Sequence, residues 1–153
     1  MEILAICIDG VEDEELIAAA LLWTARFDSV EVWCAYGELA GRELRHVREH
    51  HGRPPEPPHS HRHEDVDEEQ AEAIVARGTA LIRQANVQPR VRMLRGRDAG
   101  HAIVAACQPE TTLFLAAGHG GGVGPHSVGH VARFVIDHAL GPIILVRLGT
   151  RVS

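Results

Sequence analysis

The sequence contains no lysine, so all fifteen of its cationic side chains are arginines, set against 21 carboxylates. This absence excludes a lysine grip on phosphate and any Schiff-base chemistry, because both need a side-chain amine. The formal net charge of −6 also argues against a broad nucleic-acid surface, which needs clustered cations. We therefore expect no nucleic-acid partner.

Long apolar runs and targeting features are missing as well. No stretch approaches the roughly 20 apolar residues that a helix needs to cross a bilayer, so we expect no membrane association. The opening MEILAICIDG has an acidic second residue and no basic segment, which is unlike a signal peptide. The expected location is cytoplasmic.

Only three cysteines are present, Cys7, Cys34 and Cys107. They are odd in number, lie far apart in the sequence and have apolar neighbours. This pattern is typical of small buried side chains in a reducing compartment rather than of disulfides or nucleophiles.

What the sequence does contain is a regular alternation of strand-like and helix-like segments. The strand-like segments are ILAICID, VEVWCAY, PRVRMLRG, TLFLAA and PIILVRL, and the helix-like ones are DEELIAAALLWTARF, DEEQAEAIVARGTALIRQANV, DAGHAIVAAC and VARFVIDHAL. Such an alternation predicts a parallel sheet with right-handed crossovers. We predict a single α/β domain over residues 1–153, with a doubly wound, five-stranded parallel sheet of order 3-2-1-4-5 and about four helices.

The segment over residues 38–66 breaks this rhythm. Its middle, RPPEPPHSHRH, has four prolines and no core-forming residue, so we expect an exposed, mobile insert. Its histidines are dense enough to bind Zn²⁺ or Ni²⁺, which would make the protein metal-responsive. A solvated insert of arbitrary composition is the alternative. The candidate metal ligands are His46, His50, His59, His61 and His63.

The stretch GHGGGVGPHSVGH, from Gly118 to His130, joins the fourth predicted strand to the fourth predicted helix. A glycine-rich loop that opens into a helix offers backbone N–H groups and the positive end of the helix dipole, which suit phosphate. Asp9 ends the first predicted strand, and in a sheet of this order the two loops flank the switch point where ligands bind. A glycine-rich connection without a ligand is the alternative interpretation.

Several of these motifs together resemble the universal stress protein family. GHGG at Gly118–Gly121 and GHVARFVIDHALGPIILVR at Gly129–Arg147 are similar to the C-terminal signature of that family. ILAICIDGVEDEELIAAALLWTAR is similar to its first strand, turn and helix, and GRDAGHAIVAAC to its third helix. The resemblance covers nearly the whole chain except the segment over residues 38–66.

The resemblance implies a small regulator that binds an adenine nucleotide, ATP or AMP. By position, Ile8 and Asp9 would hold the adenosine end, and Ala35 or Tyr36 would line the base pocket. The glycine loop and the start of the following helix would face the ribose and the phosphates. The candidate residues there are Gly118, His119, Gly120, Gly121, Ser127, Gly129, His130 and Val131.

The sequence departs from the family pattern at the phosphate end. Seven residues rather than nine separate Gly121 from Gly129, and His130 stands where the family has serine or threonine. Ser127 is the candidate for the missing hydroxyl. The alternative is a nucleotide-free interaction module of the same fold.

The sequence shows no catalytic constellation, because nothing in it fixes an acid–base pair. We therefore expect no dedicated enzyme, and slow hydrolysis of ATP at most. The last predicted strand has an apolar edge at Ile143–Val146, and such edges are liable to pair. Universal stress proteins commonly pair this strand with its counterpart, so the resemblance implies a homodimer.

Overall fold

The computed structural model describes residues 1–37, 66–118 and 128–148, in which a parallel sheet is covered by helices. The strands are Ile3–Ile8 (β1), Ser29–Gly37 (β2), Arg90–Gly96 (β3), Thr111–Ala116 (β4) and Ile143–Val146 (β5). All neighbouring strands pair in parallel, and their order is β3-β2-β1-β4-β5. The predicted fold class and strand order are confirmed.

Four α-helices connect these strands in the part of the chain that the structure describes. They are Asp13–Leu21 (α1), Glu68–Gln84 (α2), Ala99–Ala106 (α3) and His130–His138 (α4). Helices α1 and α2 pack on one face of the sheet, and α3 and α4 pack on the other. Right-handed crossovers require this division, because the chain moves outward from β1 to β3 and then returns to β4 and β5.

Among the residues with described structure, no helix has the length and the apolar character needed to cross a membrane.

The core lies on both faces of the sheet, because successive side chains of each strand point to opposite faces. The larger cluster packs strand side chains such as Leu4 and Phe114 against α1 and α2. The smaller cluster, which contains Trp33 and Val135, lies under α3 and α4. All four of these side chains are almost completely buried, and each large apolar side chain stabilises the fold by about 1.5–3 kcal/mol.

Helix α1 is shorter than the sequence predicts. The apolar pattern predicts one helix over residues 13–27, but α1 ends at Leu21 and a separate 3-10 turn follows over Thr24–Arg26. The hydroxyl of Thr24 donates to the carbonyl of Leu21 at 3.2 Å, and the N–H of Trp23 donates to Ala20, only three residues back. The local hydrogen bond of threonine thus competes with continuation of the helix.

Two segments with predicted site residues lie outside the described residues. Residues 38–65 contain the candidate metal ligands His46, His50, His59, His61 and His63, and residues 119–127 contain His119, Gly120, Gly121 and Ser127. Within the part of the chain that is described, no three His, Cys, Asp or Glu side chains form a group that could hold a metal ion.

The described residues on either side of positions 38–65 lie next to each other in the structure. The N–H of Gly37, the last residue of β2, donates to the carbonyl of Val66 at 3.1 Å. Val66 is buried in the larger core cluster. The side chain of Asp67 then accepts from the N–H of Gln70 at 2.8 Å and begins α2.

Gly141, between α4 and β5, has the least room for a side chain among the described glycines. A Cβ there would overlap the carbonyl oxygen of Thr111 and would lie 2.8 Å from the carbonyl oxygen of Gln108. Both obstacles are backbone atoms and cannot move aside cheaply. We expect Gly141→Ala to lower the free energy of unfolding by about 2 kcal/mol, as measured by urea denaturation.

Gly37→Ala is the matched control for this variant. A Cβ at Gly37 would lie 3.6 Å from the carbonyl oxygen of Arg97, which is ordinary van der Waals contact. We expect this control to lose less than half as much free energy of unfolding as Gly141→Ala. Equal losses would contradict the account of Gly141.

Candidate functional site

A cleft lies at the carboxyl ends of β1 and β4, where the strand order reverses. The helix that follows β1 packs on one face of the sheet and the helix that follows β4 packs on the other, so a crevice lies between the ends of the two strands. Residues of β1, β2 and β4 form its floor, and residues of α3 and α4 form one wall.

The interior of the cleft is apolar. Trp33 on β2, Leu115 on β4 and Ile103 on α3 line it together with small side chains such as Ala35 and Ala132. Trp33 is only 1% exposed, and its ring N–H donates to the Glu31 carboxylate at 3.4 Å. An apolar slot of this kind suits a flat, uncharged ring.

The turn between β1 and α1 forms one polar end of the cleft. Asp9 and Val11 line the cleft, and a carboxylate oxygen of Asp9 accepts from the N–H of Val11 at 2.9 Å. Asp13, the first residue of α1, reaches back across the turn. Its carboxylate accepts from the N–H of Asp9 at 3.1 Å and from the N–H of Gly10 at 2.8 Å. The backbone donors of the turn are therefore held by carboxylates of the chain itself.

The backbone of this turn is constrained. Gly10 has a φ of 90° and Glu12 a φ of 57°, a left-handed conformation that costs glutamate free energy and glycine little. Left-handed residues of this kind concentrate at functional sites.

Partial burial raises the pKa of Asp13. The hydrogen bond from the Asp9 N–H opposes this effect, and the Asp9 carboxylate adds to it.

The start of α4 forms the other polar end of the cleft. Its N-cap is Gly129, whose N–H donates to the carbonyl of Ala117 at 2.7 Å and ties the helix to the end of β4. Glycine offers no side-chain acceptor, and the first turn of α4 contains no acid. By contrast, the carboxylates of Asp67 and Asp98 cap α2 and α3. The positive end of the α4 dipole therefore faces the cleft without a carboxylate from its N-cap.

A stack of aromatic rings fixes the contact between α3 and α4. Gly100 lies so close to Phe134 that a Cβ there would be 2.9 Å from the ring. The centroid of the Phe134 ring is 4.3 Å from that of His101 and 4.2 Å from that of His138. Nδ1 of His101 also lies 2.8 Å from both carboxylate oxygens of Asp98. These contacts hold α3 and α4 together on the side away from the cleft.

Cys7 lines the cleft, but its environment does not favour reaction. Burial raises the pKa of Cys7 far above its ordinary value, and burial raises the pKa of Cys34 to about 12. Thiols held in this way stay protonated and are poor nucleophiles. All three cysteines are free, and Cys34 and Cys107 are buried, as the sequence predicts.

The structure brings part of the predicted site together. Tyr36 follows Ala35 on β2 and so points to the opposite face of the sheet, where it packs against the larger core cluster. His130 is the exposed first residue of α4 and is not among the described residues that line the cleft. The predicted residues that do line it are Ile8, Asp9, Ala35, Gly118, Gly129 and Val131. As ligand contacts, all of these remain predictions.

Sequence reasoning missed the residues that close the apolar part of the cleft. Trp33 lies in the strand-like segment VEVWCAY, a pattern that predicts a core position, and in the structure it belongs to the core and also lines the cleft. The available signal is spacing, since Trp33 and Cys7 stand two residues before Ala35 and Asp9 and therefore share their faces of the sheet. Ile103 could not be found in this way, because its position depends on how α3 packs against α4.

Asp98 offers a test of the α3 cap, whose carboxylate accepts from the N–H of His101 at 2.9 Å. We expect Asp98→Ala to lower the free energy of unfolding by about 1 kcal/mol, as measured by urea denaturation at neutral pH. Asp98→Asn is the matched control, because asparagine caps helices as well as aspartate does. It should lose less than half as much, and equal losses in the two variants would contradict the role of the cap.

The same contribution depends on pH. Partial burial alone raises the pKa of Asp98, but the hydrogen bonds and the nearby charge of His101 outweigh it and lower that pKa. The stabilisation is therefore present above the unfolded-state pKa and is lost as the pH falls through the folded-state value. The difference between wild type and Asp98→Ala should narrow in acid.

Comparison with known proteins gives this fold a precedent. No protein-family model and no characterised protein sequence matches the chain. Solved structures do match it. The universal stress protein from Archaeoglobus fulgidus is 17% identical, with a TM-score of 0.61 over 96% of this chain and 99% of that chain.

Two further structures agree with it. The universal stress protein from Archaeoglobus fulgidus in complex with dAMP is 14% identical, with a TM-score of 0.59 over 96% of this chain and 98% of that chain. Universal stress protein UspA from Lactobacillus plantarum is 16% identical, with a TM-score of 0.59 over 95% of this chain and 97% of that chain. The chain therefore has the fold of the universal stress proteins, as the motifs in its sequence predict.

Proposed function

We propose that this protein is a dimeric regulator that binds an adenine nucleotide, ATP or AMP, in the cleft between Asp9 and the start of α4. The observation that carries the proposal is the position and make-up of the cleft. It is an apolar slot at the switch point of the sheet, with the carboxylate of Asp9 at one end and a helix N-terminus at the other. A nucleotide has matching chemistry in its base, sugar and phosphates.

The apolar slot is the place for the base. Trp33, Ile103 and Leu115 supply flat or branched apolar surface, and the small side chains of Ala35 and Ala99 leave room beside them. A purine ring that enters the slot is itself removed from water, which stabilises the complex by roughly 25 cal/mol for each Å² of its apolar surface that is buried.

The two polar ends of the cleft differ in charge, so they favour one orientation of the nucleotide. Phosphate suits the start of α4, where backbone N–H groups and the helix dipole favour an anion. Asp9 suits the hydroxyl and amino groups of the nucleoside, because an ionised carboxylate only accepts hydrogen bonds. The dAMP complex of a protein with the same fold supports this class of ligand.

Ala99→Leu tests the slot directly. Ala99 lines the cleft at the first residue of α3, so a larger side chain there fills the space proposed for the nucleotide. We expect calorimetry to show saturable binding of AMP and ATP by the wild type and binding at least about tenfold weaker by Ala99→Leu. Trp33 lies in the same cleft, so its fluorescence gives a second readout.

Ala105→Leu is the control, since Ala105 is an exposed residue of the same helix. It should bind both nucleotides as the wild type does. No binding by the wild type would overturn the proposal and would favour the nucleotide-free interaction module.

The dimer is proposed through β5. This strand lies at the edge of the sheet next to β4, and Leu145 in it is 36% exposed. Ile136 and Leu140, which precede β5 in the chain, are also exposed. Pairing of β5 with its counterpart in a second copy would cover both the open edge and this apolar surface.

Leu145→Glu tests the dimer, because a charge in the paired edge would be buried without a partner. We expect the wild type to be a dimer at micromolar concentration and Leu145→Glu to be a monomer, by size-exclusion chromatography with light scattering. Leu22→Glu is the control, since Leu22 is 82% exposed at the end of α1. A monomeric wild type, or a monomeric control, would contradict the proposed interface.

A further inference from the structure

The two polar ends of the cleft differ in what their backbone N–H groups hold. Turns that lead from a parallel strand into a helix are ready phosphate sites, because N–H groups and the helix dipole converge on them. Three helix starts border the cleft, those of α1, α3 and α4, and the start of α3 is capped by the carboxylate of Asp98. At the start of α1 the place of an anion is already taken by the carboxylate of Asp13.

The geometry of Asp13 is that of a bound anion. One carboxylate oxygen accepts from the N–H of Asp9 at 3.1 Å, and the other accepts from the N–H of Gly10 at 2.8 Å. Both distances are those of ordinary N–H···O hydrogen bonds, and the negative charge strengthens them. The next N–H, that of Val11, is held by the Asp9 carboxylate at 2.9 Å. Three successive backbone donors are thus held by carboxylates of the chain.

We propose that Asp13 is a specificity-determining residue, whose carboxylate occupies the anion position of the β1–α1 turn and directs the phosphate of a ligand to the start of α4. The chemical class that follows is a ligand with one anionic end and, at its other end, uncharged hydrogen-bond donors. Nucleotides that carry phosphate groups at a single end fit this description. The orientation of the ligand rests on the proposed nucleotide binding, but the filling of the turn by Asp13 does not.

The charges around the turn act in the same direction. The first turn of α1 carries Glu14 and Glu15 next to Asp13, and Asp9 and Glu12 precede them in the chain. Arg77 of α2 is the cation that acts on Asp13, and its effect is smaller than that of burial. Any test of Asp13 therefore has to separate the loss of its hydrogen bonds from the loss of one negative charge.

Asp13→Ala frees the N–H groups of Asp9 and Gly10, and inorganic pyrophosphate is the probe. We expect pyrophosphate to shift the backbone amide signals of Asp9 and Gly10 in Asp13→Ala, in ¹H–¹⁵N correlation spectra of the full chain. In the wild type the same two signals should stay in place. The expected gain in affinity at the turn is at least about tenfold.

Glu14→Gln is the matched control, because it removes one negative charge at an exposed neighbouring position. It should behave as the wild type does. Equal responses in Glu14→Gln and Asp13→Ala, equal responses in the wild type, or no response in Asp13→Ala would each overturn the proposal.

A second variant, Asp13→Asn, tests whether the response of Asp13→Ala comes only from a loss of order in the turn. Asp13→Asn keeps one acceptor for the turn and removes the charge. It should show the same two signals moving, with a smaller gain in affinity than Asp13→Ala, and no movement would count against the proposal. Success of the pyrophosphate experiment together with no binding of AMP or ATP would overturn the proposed function alone.

Discussion

The parallel pairing of β1 with β4 is the contact on which the remaining architecture depends. It runs from Ile3 opposite Thr111 to Ile6 opposite Phe114, and it joins the two halves of the sheet. Because the chain winds outward from this pair in both directions, right-handed crossovers must place α1 and α2 on one face and α3 and α4 on the other. The cleft follows from the same constraint, since the helices that come after β1 and β4 lie on opposite faces of the sheet.

The starts of the four described helices differ in their caps. The carboxylates of Asp67 and Asp98 cap α2 and α3. At α1 the N-cap residue makes no side-chain bond, and the carboxylate of Asp13 accepts from N–H groups of the preceding turn. The start of α4 has Gly129 at the N-cap and no acid in its first turn. Each carboxylate or hydroxyl cap stabilises a helix by about 1 kcal/mol, a contribution that Gly129, the N-cap residue of α4, does not make. Departures from local rules of this kind are expected where a protein binds something.

The fold was predictable because the sequence patterns that determine it are local. The apolar run of β1 is buried at most of its positions, and Ile74 and Ile82, which lie on the apolar face of α2, are buried as well. The end of α1 was not predictable in this way, because one hydroxyl, that of Thr24, competes with the helix there.

The candidate site was predictable only in part. Asp9 and Gly129 are recognisable because each stands where a strand ends or a helix begins. Asp13 looks in the sequence like one more acid at a helix start, and only its two hydrogen bonds to the turn distinguish it. Phe134 and Ile103 gain their roles from the approach of α3 to α4, which no local pattern of either helix contains.

The hydrogen bond between Gly37 and Val66 holds the end of β2 next to the residue that precedes the cap of α2. The two points are thus fixed relative to each other, whatever number of residues joins them. The entropy cost of closing a loop grows only with the logarithm of its length, about 0.6 kcal/mol for each doubling. Insertion or deletion of residues between these two points should therefore change the free energy of loop closure by only a small amount.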